Sequence, residues 1–298
     1  MEQIDLEQIL SPEWGKADGD FVTSQYGAQL NFISHQADTV VVTLSQVYPG
    51  LQWLWSVDQH DYQVVLPTDN QLKLDLPAGT HRHQIVLQNL AMGQIAFWQQ
   101  GVRLLSITSQ HVLEPVSSQK PYITFVGDSI TAGECMDGLQ HHPELSFPQL
   151  VAQALEKPLA RIAYGGTGLT SHAPFQEPSA IEALWKIGEA IARPRVQTDL
   201  VVVNYGINDA NYGANRQEFA FGLRVYLLEL IKRFHQARFI LLTPYNGAFV
   251  DIFKMEAQRF DCFEVVDTSD WQVYVTGRHP NLVEHQRAAQ NILNLLEV

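Results

Sequence analysis

From Pro121 onward the chain repeats one pattern, a short, mostly apolar run followed by an amphipathic stretch. The runs are Tyr122–Val126, Leu159–Ala163, Leu200–Asn204, Phe239–Thr243 and Phe263–Val266. Runs this short read as strands, and apolar residues on both faces mean that both faces are covered. Between them, Phe219, Leu223, Leu227, Leu230 and Phe234 share one helical face, as do Ile181, Leu184, Gly188 and Ile191. Ser179 with Glu182, Asn215 with Glu218 and Asn281 with Glu284 stand at capping-box spacing and mark three helix starts. Strands alternating with helices predict a parallel sheet with helices packed on both faces.

The first third of the chain has a different period. Gln71 to Leu76 alternates strictly, with Leu72, Leu74 and Leu76 on one face and Gln71, Lys73 and Asp75 on the other. That is the signature of a half-buried strand. Val40–Leu44, Trp53–Val57, Tyr62–Leu66, Gln84–Leu87, Ile95–Trp98 and Val102–Ile107 are read as further short strands. Turn residues at Pro49-Gly50, Asp69-Asn70, Pro77-Ala78-Gly79, Gly93 and Gly101 separate them. Many short strands at this spacing predict a β-sandwich or jelly roll. Two domains are therefore expected, a β-rich one over residues 1–115 and an α/β one over 121–298. The polar stretch Glu114–Lys120 links them.

Charge and cysteine content narrow the partners. The 32 acidic and 19 basic residues leave a net charge of −13, which argues against nucleic acid or an anionic membrane as partner. No apolar run approaches the roughly 20 residues a membrane helix needs. Met1–Leu10 lacks a basic segment followed by an apolar one, so it does not read as a secretory signal. Cys135 and Cys262 are too few for a disulfide scaffold and sit at no zinc-ligand spacing. Free thiols in a reducing cytosol are the expectation, and with them a cytoplasmic protein.

In an open α/β sheet, ligands bind outside the carboxyl ends of the strands. After the first such strand comes Gly127-Asp128-Ser129-Ile130-Thr131, and after the second Tyr164-Gly165-Gly166-Thr167-Gly168. After the third comes Tyr205-Gly206-Ile207-Asn208-Asp209, and beyond the fifth Gly277-Arg278-His279-Pro280-Asn281. A serine, a glycine, an asparagine and a histidine thus gather at one sheet edge. Acyl transfer needs such a set: a nucleophile, a base, and donors for the oxyanion.

These four segments resemble, in order and in placement after the strands, the four sequence blocks of the SGNH (GDSL) hydrolases. The resemblance covers roughly residues 121–298. It implies a flavodoxin-like, three-layer catalytic domain, with the family's serine, glycine, asparagine and histidine falling on Ser129, Gly166, Asn208 and His279. The family usually carries an aspartate three residues before the histidine; here that position is Thr276. A β-rich front domain together with that missing aspartate resembles the carbohydrate esterase family 2 acetyl esterases. Members of that family can work with a Ser-His dyad whose histidine is oriented by a backbone carbonyl.

The resemblance implies that Ser129 attacks the ester and that His279 acts first as base, then as acid. The oxyanion would meet the Ser129 N–H, the Gly166 N–H and the Asn208 amide. Gly165 rivals Gly166 for that donor, and the family's Gly-x-Gly pattern favours Gly166-Thr167-Gly168. Ser129 also suits a helix cap, and Asn208 a turn. Candidates to orient His279 are a backbone carbonyl, Thr276, Asp267 and Asp270. Trp271 and Tyr212 are the candidate sugar contacts, with Tyr205, Tyr245 and Tyr274 as further aromatics near these loops. Leu139–Ser146, with His141 and His142, reads as a pocket rim rather than a metal site, and Cys135 as a rim thiol. His81 and His83 would share an exposed strand face.

The expected function is a serine esterase acting on acetyl or other short acyl esters of sugars or oligosaccharides, without cofactor or metal. A broad short-chain or lipid-ester hydrolase is the second reading. A non-catalytic carbohydrate-binding protein is the third, resting only on the missing aspartate.

Overall fold

The computed structural model describes residues 2–3, 5–274 and 279–297. The chain divides into two units, Met1–Gln119 with Ile187–Pro194, and Lys120–Lys186 with Arg195–Val298.

The first unit holds two antiparallel sheets. One orders Gly15–Ala17, Asp20–Thr23, Val102–Ser109, Asp38–Leu44 and Gln71–Leu76, and Glu2–Gln3 also pairs with Val102–Ser109. The other orders Glu114–Pro115, Gln29–Ser34, His81–Asn89, Gln52–Val57 and Gln63–Val65. Val40, Val42, Leu72 and Leu74 of the first sheet meet Leu30, Phe32, Trp53 and Ile85 of the second in one buried cluster. Two sheets closing on one core make a β-sandwich. His81 and His83 do share a face, but it is not the exposed face expected. His83 is fully buried, its Nε2 2.8 Å from Ser34 Oγ and its Nδ1 accepting from Trp55 Nε1 at 3.3 Å. Burial lowers its pKa to about 4.

The second unit is a parallel sheet of β1 (Tyr122–Gly127), β2 (Leu159–Ala163), β3 (Thr198–Asn204), β4 (Arg238–Leu242) and β5 (Phe263–Val266). Its helices are α1 (Ser129–Ala132), α2 (Phe147–Ala154), α3 (Ala180–Trp185), α4 (Ile207–Asn211), α5 (Arg216–Arg233), α6 (Val250–Ala257) and α7 (Leu282–Leu295). Ile123, Phe125, Val202, Ile240 and Leu242 pack with Phe147 and Val151 of α2 and Ala288 and Ile292 of α7. Their neighbours Val201, Val203, Phe239 and Leu241 are equally buried, so both faces of the sheet are covered. The three capping boxes all form, at the starts of α3, α5 and α7. The strand order is β2-β1-β3-β4-β5, with every pair parallel. That flavodoxin-like order reverses between β1 and β3, and the carboxyl ends at such a reversal form the crevice where ligands bind.

Two segments differ from their sequence reading. Ile95–Trp98 is not a strand but the middle of a helix, Gln94–Gln100, bounded by Gly93 and Gly101. Four apolar residues suit either element, and the flanking glutamines and alanine favour helix. The face assigned to Ile181, Leu184, Gly188 and Ile191 breaks after Trp185. Lys186–Gly188 and Ile191–Ala192 instead form a two-stranded hairpin, turned by Ala190 at φ +63°. This hairpin groups with the first unit, although its sequence position lies within the second.

Candidate active site

The crevice is built first by glycine. At the end of β1, a Cβ on Gly127 would lie 2.1 Å from Thr131 Oγ1 and 2.6 Å from the Asn204 carbonyl, so only glycine lets β1 and β3 approach this closely. Asp128 then caps α1, its Oδ1 accepting from the Ile130 N–H at 3.0 Å. The next residue, Ser129, opens the helix with only 6% of its surface exposed. His279 comes from the opposite end of the unit, just ahead of α7. Its Nε2 lies 3.0 Å from Ser129 Oγ, a hydrogen bond across 150 residues of sequence.

Gly165 and Gly166 follow β2. The Gly165 N–H donates to the Glu134 carboxylate. Its donor is therefore spent, which separates two glycines the sequence left as rivals. Gly166 lies in the left-handed region at φ +69°, and a Cβ there would meet Phe175 Cδ2 at 2.3 Å. The Asn208 amide, on α4, donates to the Thr167 carbonyl at 2.8 Å and to Asp128 Oδ2 at 3.3 Å. Asp209 is buried behind it, accepting from the Leu169 N–H, the Thr170 N–H and Thr170 Oγ1. It fastens the loop after β2 to α4. Burial raises the pKa of Asp209 and lifts that of Asp128 to about 8.

The other expected residues separate. Asp267 Oδ1 accepts from the N–H and the hydroxyl of Ser269, and its Oδ2 faces Lys254 at 3.6 Å. These contacts hold its pKa below the usual carboxylate range. Asp270 is exposed, and Thr276 lies outside the described residues. Trp271 is half-buried on the core beside Tyr245, their ring centroids 6.3 Å apart. Tyr274 is also half-buried, Tyr205 and Tyr245 are buried, and Tyr212 is 56% exposed at the end of α4. His141 accepts from the Cys135 N–H through Nδ1 at 3.1 Å. Burial, and the nearby His279 and His142, lower its pKa to about 4. His142 instead pairs with Glu144 at 2.9 Å, so the two histidines serve different partners. Burial pushes the Cys135 thiol up, away from thiolate character. Among the described residues no group of three or more His, Cys, Asp or Glu is placed to hold a metal ion, and no helix is long and apolar enough to cross a membrane.

Two residues here were not singled out by sequence reasoning. Phe175, 37% exposed, donates its N–H to the Gly166 carbonyl at 3.1 Å and lays its ring against that glycine. Glu134 reaches Gly165 because Gly133, at φ +80°, turns the chain back after α1. The Ala-Gly-Glu ending of the α1 segment was the only signal for it, and a helix-ending glycine is too common to be read as a site.

The model of the GDSL-like Lipase/Acylhydrolase family matches residues 125–281. In fold the chain is similar to a family two carbohydrate esterase from Cellvibrio japonicus, with TM-score 0.77, 15% identity, and coverage of 97% of this chain and 95% of that one. It is similar to a carbohydrate esterase family 2 enzyme plus carbohydrate binding domain from Corynascus thermopiles (Myceliophthora fergusii), with TM-score 0.71, 20% identity, and coverage of 92% and 95%. It is also similar to a salicylyl-acyltransferase from a tetracycline biosynthetic pathway, with TM-score 0.67, 17% identity, and coverage of 96% and 93%. No curated protein matches the chain in sequence.

Proposed function

This chain belongs to the GDSL-like lipase/acylhydrolase family, and we propose that it is a serine esterase removing acetyl or similarly short acyl groups from sugars or oligosaccharides. The observation that carries this reading is the 3.0 Å contact between His279 Nε2 and Ser129 Oγ at the point where the strand order reverses. For the serine to donate, the imidazole must be neutral with its proton on Nδ1. As Oγ bonds to the ester carbon, the serine proton passes to Nε2. The charge then building on the carbonyl oxygen is received by the Ser129 N–H, the Gly166 N–H and the Asn208 amide. Collapse breaks the bond to the sugar oxygen, which leaves with the proton from Nε2. Water, deprotonated by the same nitrogen, releases the acyl group from Oγ.

The acceptor for the Nδ1 proton is read as a backbone carbonyl, because Asp267 is committed to Ser269 and Lys254 and Asp270 faces solvent. Sugar as the alcohol is supported by the fold neighbours that are carbohydrate esterases. Trp271 and the exposed Tyr212 ring are the surfaces we assign to it.

The test compares an acetylated oligosaccharide, 4-nitrophenyl acetate and 4-nitrophenyl butyrate, with wild type and Ser129→Ala. Ser129→Ala should lose about 10⁴-fold or more in kcat on every ester while unfolding at the wild-type temperature. Substantial turnover by the folded variant sinks the serine mechanism. A higher kcat/KM on butyrate than on acetate turns the reading toward a lipid-ester hydrolase. Failure of a serine-directed phosphonate to label the wild type turns it toward a non-catalytic binding protein.

A further inference from the structure

Glu134 has no part in the chemistry above, yet it touches both halves of it. Its backbone N–H donates to the Ser129 carbonyl at 3.0 Å. Its carboxylate accepts the Gly165 N–H. One residue therefore grips the Ser129–Ile130 peptide, on the carbonyl side of the nucleophile, and the Tyr164–Gly165 peptide, one before the peptide that carries the Gly166 N–H. The second grip is close: a Cβ on Gly165 would fall 2.4 Å from Oε2 and 2.9 Å from Oε1. Only glycine admits the carboxylate there.

The backbone on either side aims this side chain. Gly133, left-handed at φ +80°, bends the chain back over α1, and its own N–H bonds the Ile130 carbonyl at 3.2 Å. Cys135 follows at φ +53° with its N–H held by His141. A non-glycine residue in that region is strained, so the turn is held by its contacts rather than by local preference. Burial raises the Glu134 pKa to about 7, and the Gly165 N–H it accepts offsets part of that cost. What a carboxylate adds over a neutral acceptor is a shorter, stronger bond to the N–H it holds.

We propose that Glu134 is a positioning residue of the oxyanion hole, tying Gly165 to the Ser129 turn so that the Ser129 and Gly166 N–H groups converge on one point. The inference rests on the reading of Ser129 and Gly166 given above. Oxyanion donors work over a window of roughly 2.7–3.1 Å. A misplacement of about 1 Å at a reacting centre can cost about 10²-fold in rate. A strut that joins the two segments next to the donor N–H groups therefore controls rate without touching substrate.

The experiment measures kcat and KM on 4-nitrophenyl acetate for Glu134→Ala, Glu134→Gln, Gly165→Ala and Ser129→Ala, each checked for wild-type thermal unfolding. Glu134→Ala should lower kcat by about 10- to 100-fold with KM within about threefold, since the donors act on the transition state. Glu134→Gln keeps an oxygen acceptor and should recover kcat to within about fivefold of wild type. Gly165→Ala pushes the carboxylate away from the other side and should reproduce the Glu134→Ala split. A folded Glu134→Ala with kcat within about twofold of wild type, or one whose loss lies in KM, overturns the inference. So does a glutamine variant no better than the alanine one. If Glu134→Ala does not fold, an unchanged kcat in Gly165→Ala overturns it alone. Ser129→Ala keeps the two levels apart. Turnover retained there defeats the serine reading itself, whereas a dead Ser129→Ala beside an unaffected Glu134→Ala defeats only the role given to Glu134.

Discussion

Replacing Asn208 by alanine removes an amide that donates to the Thr167 carbonyl at 2.8 Å and to Asp128 Oδ2 at 3.3 Å. The two bonds differ in what they do. The short one locks the amide onto the loop that carries Gly166. The long one is weak and exchangeable, and on the proposed mechanism its hydrogen turns to the oxyanion as charge develops there. That second interaction exists only in the transition state, so its loss falls on kcat rather than KM. The expected fall in kcat is about 10²- to 10³-fold, the usual scale for one side-chain oxyanion donor, with KM within about threefold. The first bond predicts a separate cost. Thr167 is fully buried, and its carbonyl left without this donor should destabilise the fold by about 1–3 kcal/mol. For a domain of this size, each kcal/mol corresponds to roughly 2–4 °C in Tm. Steady-state hydrolysis of 4-nitrophenyl acetate at 25 °C, beside calorimetric unfolding, separates the two effects. A folded variant with kcat within threefold of wild type removes Asn208 from the oxyanion hole. A rise in KM at constant kcat would mean that it binds substrate and transition state alike.

Asp267→Asn and Asp270→Asn should each leave kcat within about threefold, because Asp267 is committed to Ser269 and Lys254 and Asp270 is exposed; a loss of about 10³- to 10⁴-fold in either would identify it as the orienting group. Asp128 contributes to the pH dependence of stability with a definite sign, because its pKa of about 8 in the fold stands against roughly 3.9 in an unfolded chain. Between those values the native state keeps a proton that the unfolded state releases, so its contribution falls as pH rises from about 4 to about 8, by up to ~1.4 kcal/mol per pH unit, while the buried His83 and His141, lowered to about 4, act in the opposite sense up to about pH 6.5. Asp128→Asn should remove the falling contribution, so that stability measured by thermal unfolding at successive pH values changes more favourably with rising pH than in wild type, and an unchanged slope would show that Asp128 titrates normally.

The parallel sheet was legible because four of its strands carry runs of residues buried on both faces, and such runs need no partner to be recognised. Leu159–Ala163 and Phe263–Val266 coincide with their strands residue for residue. The capping boxes were legible for a similar reason, since donor and acceptor sit three residues apart. The illegible segments depend on distant contacts. Asp20–Thr23 is a strand because its partners lie at Gly15–Ala17 and at Val102–Ser109. The hairpin after Trp185 follows a helical period on paper. It is instead drawn to the first unit, where Ile187 and Ile191 approach Gly15 and Gly188 abuts the Trp98 carbonyl.

The site divides in the same way. Ser129, Gly166, Asn208 and His279 each follow a strand end, and one sheet edge is enough to gather them. What surrounds them was not visible, because Glu134 and Phe175 reach the glycine loop through a left-handed turn and a long connection. The acids show the consequence. Asp128, Asp209 and Glu134 hold backbone or amide hydrogens, and Asp267 holds Ser269 and Lys254. On the dyad reading, His279 then leans on a neutral acceptor, which fixes its tautomer but stabilises the imidazolium less than a carboxylate would. The oxyanion donors then supply the larger share of the transition-state stabilisation. The effects of Asn208→Ala and Glu134→Ala should therefore be steep where those of Asp267→Asn and Asp270→Asn are shallow, and the reverse ranking would place the missing carboxylate back beside the histidine.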